Sequence, residues 1–336
     1  MAMINPYKDV NWGTVQEICS ISHAHCLYET HFDRLYNGGV RHMAISNYHP
    51  SKAWYPLEEF FSFTIPDDVV QCPNAEHWRM AFYGDTNGTN NIHINGIGST
   101  YQSDNDEAPW GVNFDDMKVT LKKVLNGLIY PDGGGLTINH PEWTRANGGD
   151  HCLTVERMCK IMDMDKRVLG IEFYNDNAER NDEHGAVGWA IDDWDDVLKT
   201  GRRAWGFLSP DWMHTASADW YGRNILLVTE KTEHECLKAY REGRFFGRMK
   251  NTDLSFTGIA VDGYSVTVET NHATKIHVVI DGVREEHNGD ELTVNIPSTA
   301  TYARFEASDA NDTIYSNPIM FKTIKTGRKS WFRKLL

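Results

Sequence analysis

Between about residues 17 and 250, short apolar runs alternate with amphipathic ones, and this order of elements constrains the fold more than any other feature. The strand-like runs are EICSIS (17–22), RHMAIS (41–46), NNIHINGIG (90–98), GLTIN (135–139), RVLGIEFY (167–174), AWGFL (204–208) and NILLVT (224–229). Helical patterns fall between them. NFDDMKVTLKKVLNG (113–127) sets Phe114, Met117, Leu121, Val124 and Leu125 on one face and stops at Gly127. Residues 152–164 and 194–201 behave alike, and 232–243 opens with a Thr232/Glu235 capping box and closes on Gly243. Strands alternating with helices predict βαβ units with parallel strands. About 250 residues of them suit a barrel-like α/β fold.

The character changes near residue 251. YSVTVET (264–270), KIHVVID (275–281), ELTVNI (291–296), YARFEAS (302–308) and NPIMF (317–321) are short strands separated by turn residues such as Asp-Gly at 262–263 and 281–282. They predict a small antiparallel β-sandwich. The expected division is therefore 1–250, 251–325 and a basic tail at 326–336, the last read as solvated chain.

Net charge is −14 with histidine neutral, so the surface repels phosphate backbones and nucleic-acid binding is not expected. No run approaches 18 apolar residues, so no membrane span is expected. The first residues carry no apolar signal region, and the six cysteines form no CxxC pair. Both features lead us to expect a cytoplasmic protein with reduced thiols.

The 15 histidines carry the chemistry. His23 and His25 alternate at the end of the first apolar run, so both imidazoles share one face. Two such rings side by side compete for protons, and a divalent cation relieves this by taking both lone pairs. His31 follows six residues later. His49 follows the second run, Glu76 lies in PNAEHWRM beside His77, and His93 interrupts NNIHINGIG. His140 follows GLTIN, and Asp211 and His214 follow AWGFL. A histidine or acid recurs in or after the strand runs, where α/β barrels build their sites.

On these residues the chain resembles the PHP (polymerase and histidinol phosphatase) superfamily of metal-dependent phosphoesterases. The likeness is greatest to bacterial members with a C-terminal β-domain, including the carbaryl-hydrolase-like branch. The resemblance implies a distorted seven-stranded (β/α) barrel followed by a small antiparallel β-sandwich. It also implies a trinuclear site of seven histidines, a bridging glutamate and an aspartate. Carried over, His23 and His25 would bind a first metal, and Glu76 would bridge the first and second. His93 and His140 would complete the second, and His31 and His49 would bind the third. Asp211 would complete the first site and His214 the third. The family ends in DxH, whereas this chain reads Asp211-Trp212-Met213-His214. One extra residue reverses a side chain on extended backbone, and a turn or bulge restores it. Glu172 is expected to support the site without ligating.

The implied function is hydrolysis of a phosphate ester of a small metabolite by a metal-bound hydroxide held by Glu76 and Asp211. Two to three divalent ions are expected, and a histidine-rich set suits zinc, manganese or iron better than magnesium or calcium. Arg145 could meet a phosphate oxygen, while Trp143 and Trp212 are expected in the core. Two other readings stay open. The same chemistry could act on a carbamate or amide, for which an apolar pocket would speak. Alternatively, the chain could be a non-catalytic metal- or partner-binding module.

Overall fold

The structure is a computed structural model describing residues 2–48, 51–81, 92–103, 115–143, 153–181, 186–213 and 219–324. The chain begins with β1 (Gln16–Ile21), β2 (Ala24–His25), α1 (Glu29–Asn37), β3 (His42–Met43), β4 (Val70–Gln71), β5 (Glu76–Ala81), β6 (Ile92–Ile97) and β7 (Asp115–Asp116). It continues with α2 (Met117–Asn126), β8 (Gly135–Ile138), α3 (Val155–Met164), β9 (Val168–Asn175), α4 (Asp176–Arg180) and α5 (Ile191–Lys199). Then come β10 (Trp205–Ser209), β11 (Asp211–Trp212), β12 (Arg223–Val228), α6 (Glu233–Glu242) and β13 (Phe245–Arg248). The remainder is strand: β14 (Phe256–Asp262), β15 (Ser265–Thr270), β16 (Lys275–Ile280), β17 (Val283–Asn288), β18 (Glu291–Asn295), β19 (Tyr302–Ser308), β20 (Thr313–Ser316) and β21 (Ile319–Met320). No helix among the described residues is long and apolar enough to cross a membrane.

The strands do not close into the expected seven-stranded (β/α) barrel. They form a ten-stranded sheet, a six-stranded sheet, and smaller sheets of three and two strands. The ten-stranded sheet runs β17-β16-β19-β20-β13-β12-β1-β3-β4, with β21 beside β19, and the six-stranded sheet runs β10-β9-β8-β6-β5-β7. Both are mixed. β1 is antiparallel to β12, and β12 is antiparallel to β13 although α6 lies between them. β6 is antiparallel to both β5 and β8. Alternation of elements predicts their order but not their direction, and a closed parallel barrel needs every crossover to return the chain the same way. The expected sandwich is not closed off as its own unit either. One of its layers is the outer half of the ten-stranded sheet, joined through β13 and β20. The three-stranded sheet β14-β15-β18 covers that layer, packing Ile259, Val266 and Val268 with Ile276, Val278 and Phe305.

Local signals explain most of the helices. Asp116 caps α2 by accepting the Val119 amide proton, and Thr154 caps α3 through Arg157. Thr232 caps α6, which ends on Gly243 at φ 78°. The capping box is only half formed, because Glu235 accepts from the Thr229 hydroxyl instead. β9 is buried along its whole length, as a strand covered on both faces must be.

The tight approach of β9 and β10 positions the site. A Cβ on Gly170 would lie 1.8 Å from the Trp205 carbonyl oxygen and 2.5 Å from its amide nitrogen. Both obstacles are backbone, so neither can rotate away. Gly170→Ala is expected to cost more than about 3 kcal/mol, the upper end for overpacking. Urea unfolding checks this, and a change below about 1 kcal/mol would show that the sheet yields locally.

Candidate metal centre

β1 delivers His23 and His25 to one end of the ten-stranded sheet. There, β2 pairs in parallel with β11, setting Asp211 opposite Ala24 and Trp212 opposite His25. The Asp211 amide donates to the His23 carbonyl at 3.2 Å. Asp211 adopts φ 59°, a left-handed conformation that a non-glycine residue rarely takes. That kink turns its carboxylate into the histidines: Asp211 Oδ1 lies 3.0 Å from His25 Nε2 and 3.3 Å from His23 Nε2. His140 also has positive φ, at 23°. Such conformations collect at functional sites, where the surroundings enforce them.

β5 brings Glu76 to the same point, and its two oxygens face two groups. Oε2 lies 3.1 Å from His25 Nε2 and 3.6 Å from His23 Nε2. Oε1 lies 2.9 Å from His93 Nδ1 and 3.2 Å from His140 Nε2, and accepts from Asn139 Nδ2 at 3.0 Å. The two Nε2 atoms of His23 and His25 are 3.3 Å apart. All of these side chains are buried or nearly so.

The spacing tests whether an ion fits. Ligands about 2.05 Å from a tetrahedral ion sit roughly 3.3 Å from one another. His23 Nε2 and His25 Nε2 lie 3.3 Å apart, and each lies 3.0 to 3.6 Å from Asp211 Oδ1 and from Glu76 Oε2. Asp211 Oδ1 is buried and touches two imidazole nitrogens, yet among the described residues no hydrogen bond satisfies it. An unsatisfied carboxylate oxygen between two imidazole nitrogens is the arrangement a shared cation would relieve. His23, His25 and Asp211 form one group that could hold a divalent ion, and His23, Glu76 and His140 form another.

Glu172 on β9 organises the surroundings. Its Oε1 receives His23 Nδ1 at 3.1 Å and the Ser209 hydroxyl. Its Oε2 accepts from the His140 amide at 2.8 Å and from Asn175 Nδ2 at 3.0 Å. Holding a proton on His23 Nδ1 leaves the Nε2 lone pair free to face the centre, the usual way a carboxylate orients a ligating imidazole. Asn175 Nδ2 also reaches Asp211 Oδ2 at 3.1 Å. Sequence reading missed Asn139, Asn175 and Ser209. Their only signal was position: Asn139 precedes His140, and Asn175 lies three residues after Glu172.

The remaining sequence candidates fall elsewhere. His31, in α1, accepts the Leu27 amide proton on Nδ1 and joins neither donor group. His49, His214 and Arg145 lie outside the described residues. His77 is buried with no hydrogen bond on either ring nitrogen among the described residues, and burial lowers it to about 4. His42 pairs with Ser20 at 2.7 Å, and burial lowers it to about 3. Trp143 and Trp212, expected in the core, stand half-buried and line the opening of about 120 Å³. His25 is flanked by Tyr48 at 4.6 Å and Trp212 at 4.5 Å between ring centres.

Electrostatics follow from this crowding. Burial alone would lower His23, but Asp211, Glu172 and Glu76 outweigh it and hold the ring well above its usual value. His140 is raised in the same way. In His93, burial outweighs Glu76 and the direction is downward. Burial would raise Glu76 and Asp211, but the surrounding imidazoles dominate and keep both below the usual carboxylate range.

A pH prediction follows for chelator-treated protein. His42, His77 and His93 are lowered, so their contribution is complete above the free-imidazole pKa and is lost as pH falls. His23 and His140 are raised, so theirs is complete below that pKa and is lost as pH rises. Stability should therefore peak near about pH 6.5 and fall on both sides. Added metal should flatten the alkaline limb, because ligation takes over from protonation. Thermal melts across pH, with and without metal, check it; an unchanged alkaline limb would contradict it.

No family model and no curated protein matches the sequence. One solved structure similar in outline is a two-domain protein containing a predicted PHP-like metal-dependent phosphoesterase from Bacteroides vulgatus ATCC 8482. The TM-score is 0.43 and the identity 11%, over 96% of this chain and 91% of that one. A likeness this loose fixes neither fold nor chemistry for this chain.

Proposed function

We propose that the chain is a metal-dependent hydrolase that cleaves a phosphate ester of a small metabolite. One observation carries the reading: His23, His25, His93 and His140 converge around Glu76, whose two oxygens face separate histidine pairs, and Asp211 joins His23 and His25. His23, His25, Asp211 and Glu76 would hold one ion, and Glu76, His93 and His140 a second. His31, His49 and His214 would complete a third. The donor set suits zinc, manganese or iron. Bound, such ions supply Lewis acidity toward an ester oxygen and lower the pKa of water. The chain's own part is to fix the donors. Glu172 orients His23, Asn175 steadies Asp211, and Asn139 steadies Glu76. Tyr48, Trp143 and Trp212 line the opening, where their rings would limit the access of water. Residues 1–250 would carry this site, and 251–325 would buttress it through the shared sheet.

A second reading has its own support. Tyr48, Trp143, Leu153 and Trp212 line the opening, and no lysine or arginine does so among the described residues. An apolar wall suits an aryl ester or carbamate as well as a phosphate. The test compares phosphate release from an aryl phosphate with hydrolysis of an aryl carbamate. Manganese- or zinc-loaded protein is set against chelated protein and His25→Ala. Phosphate release lost in both controls supports the first reading, and carbamate turnover alone supports the second. No turnover and no bound metal would leave a non-catalytic module.

Trp212→Ala separates positioning from ligation. Its ring packs on His25 without offering a donor to the centre. KM for an aryl substrate should rise about tenfold, the worth of one aromatic contact, with metal content unchanged. Loss of metal instead would make Trp212 part of the structural support.

A further inference from the structure

A second cavity, of about 340 Å³, opens beside β1, away from the donor groups. Glu17, Ile18, Cys19, Gly39, Arg41, Ile225, Lys231 and Arg248 line it. Its chemistry is the opposite of the chain's overall charge. Arg41, Lys231 and Arg248 face a single carboxylate, Glu17, which already accepts the Ser255 hydroxyl. Arg41 is committed to Asp68 at 2.7 Å, but no ion pair holds Lys231 or Arg248 among the described residues.

The strand register adds a second, independent feature. Arg248 on β13 stands directly opposite Arg223 on β12. Arg248 is 7% exposed and Arg223 is 2% exposed. Like charges directly opposite on neighbouring strands repel, and burial deepens the cost. Among the described residues, the buried Nε–H of each finds no hydrogen-bond acceptor. Arg223 spends its terminal nitrogens on the Gly38 and Trp220 carbonyls and lies 4.1 Å over the Trp220 ring. Asp312, the acid whose charge bears on Arg223, is taken up by the Lys250 and Thr313 amides and the Thr252 hydroxyl. Arg248 Nη1 donates to the Leu254 carbonyl at 3.4 Å, so both facing, buried guanidiniums meet carbonyls but no carboxylate ion pair among the described residues, and with a lysine at the cavity rim they call for an anion.

We infer that this cavity is an oxyanion site that takes the phosphate group of a small metabolite. Arg248 and Lys231 would contact the ligand, and Arg223, opposite Arg248 on the neighbouring strand, would add charge. Phosphate suits it better than a monocarboxylate because a dianion answers more than one unpaired cation. The site is independent of the metal centre: it shares no lining residue with the opening around Glu76.

Cys19 supplies a local reporter. It lines the cavity and is partly exposed, whereas Cys26, Cys72, Cys159 and Cys236 are buried. Full-length protein is first treated with chelator, so that phosphate cannot report on bound metal. Iodoacetamide modification of the Cys19 peptide is then followed by mass spectrometry, in inorganic phosphate or in sodium chloride of equal ionic strength. A site occupied nine-tenths of the time should slow modification about tenfold. Lys231→Gln, at an exposed position, should lose most of that protection, and Arg248→Gln all of it. If Arg248→Gln does not fold, Lys231→Gln decides the matter. Equal rates in phosphate and chloride, or protection that survives Lys231→Gln, would overturn the site. Equal protection by acetate would overturn its assignment to phosphate.

Discussion

Glu76→Gln is expected to lower metal-dependent turnover by at least about 10²-fold, and to lower bound metal with it. The magnitude has a floor in known chemistry: groups that only orient a ligand are worth 10–100-fold in affinity or activity. Glu76 stands closer than that, with one oxygen on His23 and His25 and the other on His93 and His140. Glutamine keeps the shape, so packing should survive. It replaces one acceptor by a donor aimed at imidazole lone pairs, and it removes a charge that would offset bound divalent ions. Metal content by mass spectrometry and circular dichroism separate loss of ligation from loss of fold. Full metal content with full turnover in a folded variant would remove Glu76 from the centre of the site.

Chelation should lower the melting temperature by roughly 8 °C. Free ion at a thousand times its Kd stabilises the folded state by about 4 kcal/mol, and each kcal/mol moves a chain of this size by about 2 °C. The cluster gives the reason for a large effect. His23 and His25 approach to 3.3 Å, and three carboxylates (Glu76, Glu172 and Asp211) meet around them in a buried space. A bound ion would balance these charges, with Asp211 among the residues that would hold it. In His25→Ala the melting temperature should no longer respond to metal. A wild-type melt that is the same with chelator and with saturating zinc or manganese would refute the assignment of the cluster to metal.

Much of the local structure was readable because it depends on nearby residues. The run at 167–174 emerges as β9, and 232–243 as α6, with Thr232 and Gly243 at its ends. Strands without an apolar run were not readable. Glu76–Ala81 is rich in polar residues and becomes a strand through pairing with β6 and β7. Val283–Asn288 is mostly exposed and exists as the hairpin partner of β16. Strand direction was not readable either, which is why the barrel expectation failed. Antiparallel neighbours such as β1 and β12 lie about 200 residues apart in sequence, beyond any local signal.

The site divides in the same way. The alternation of His23 and His25, and the placing of His140 and Asp211 after apolar runs, are properties of the sequence alone. They point to a metal-binding chemistry because a divalent ion relieves the competition of closely spaced imidazoles for protons. Only the tertiary structure decided that Glu76 reaches both groups, that left-handed backbone at Asp211 turns its carboxylate inward, and that Glu172 becomes the common acceptor behind His23 and His140. The physical reason is range. Spacing and periodicity act over a few residues, whereas a shared coordination centre is a distance of about 3 Å between side chains that the chain keeps as many as 188 positions apart.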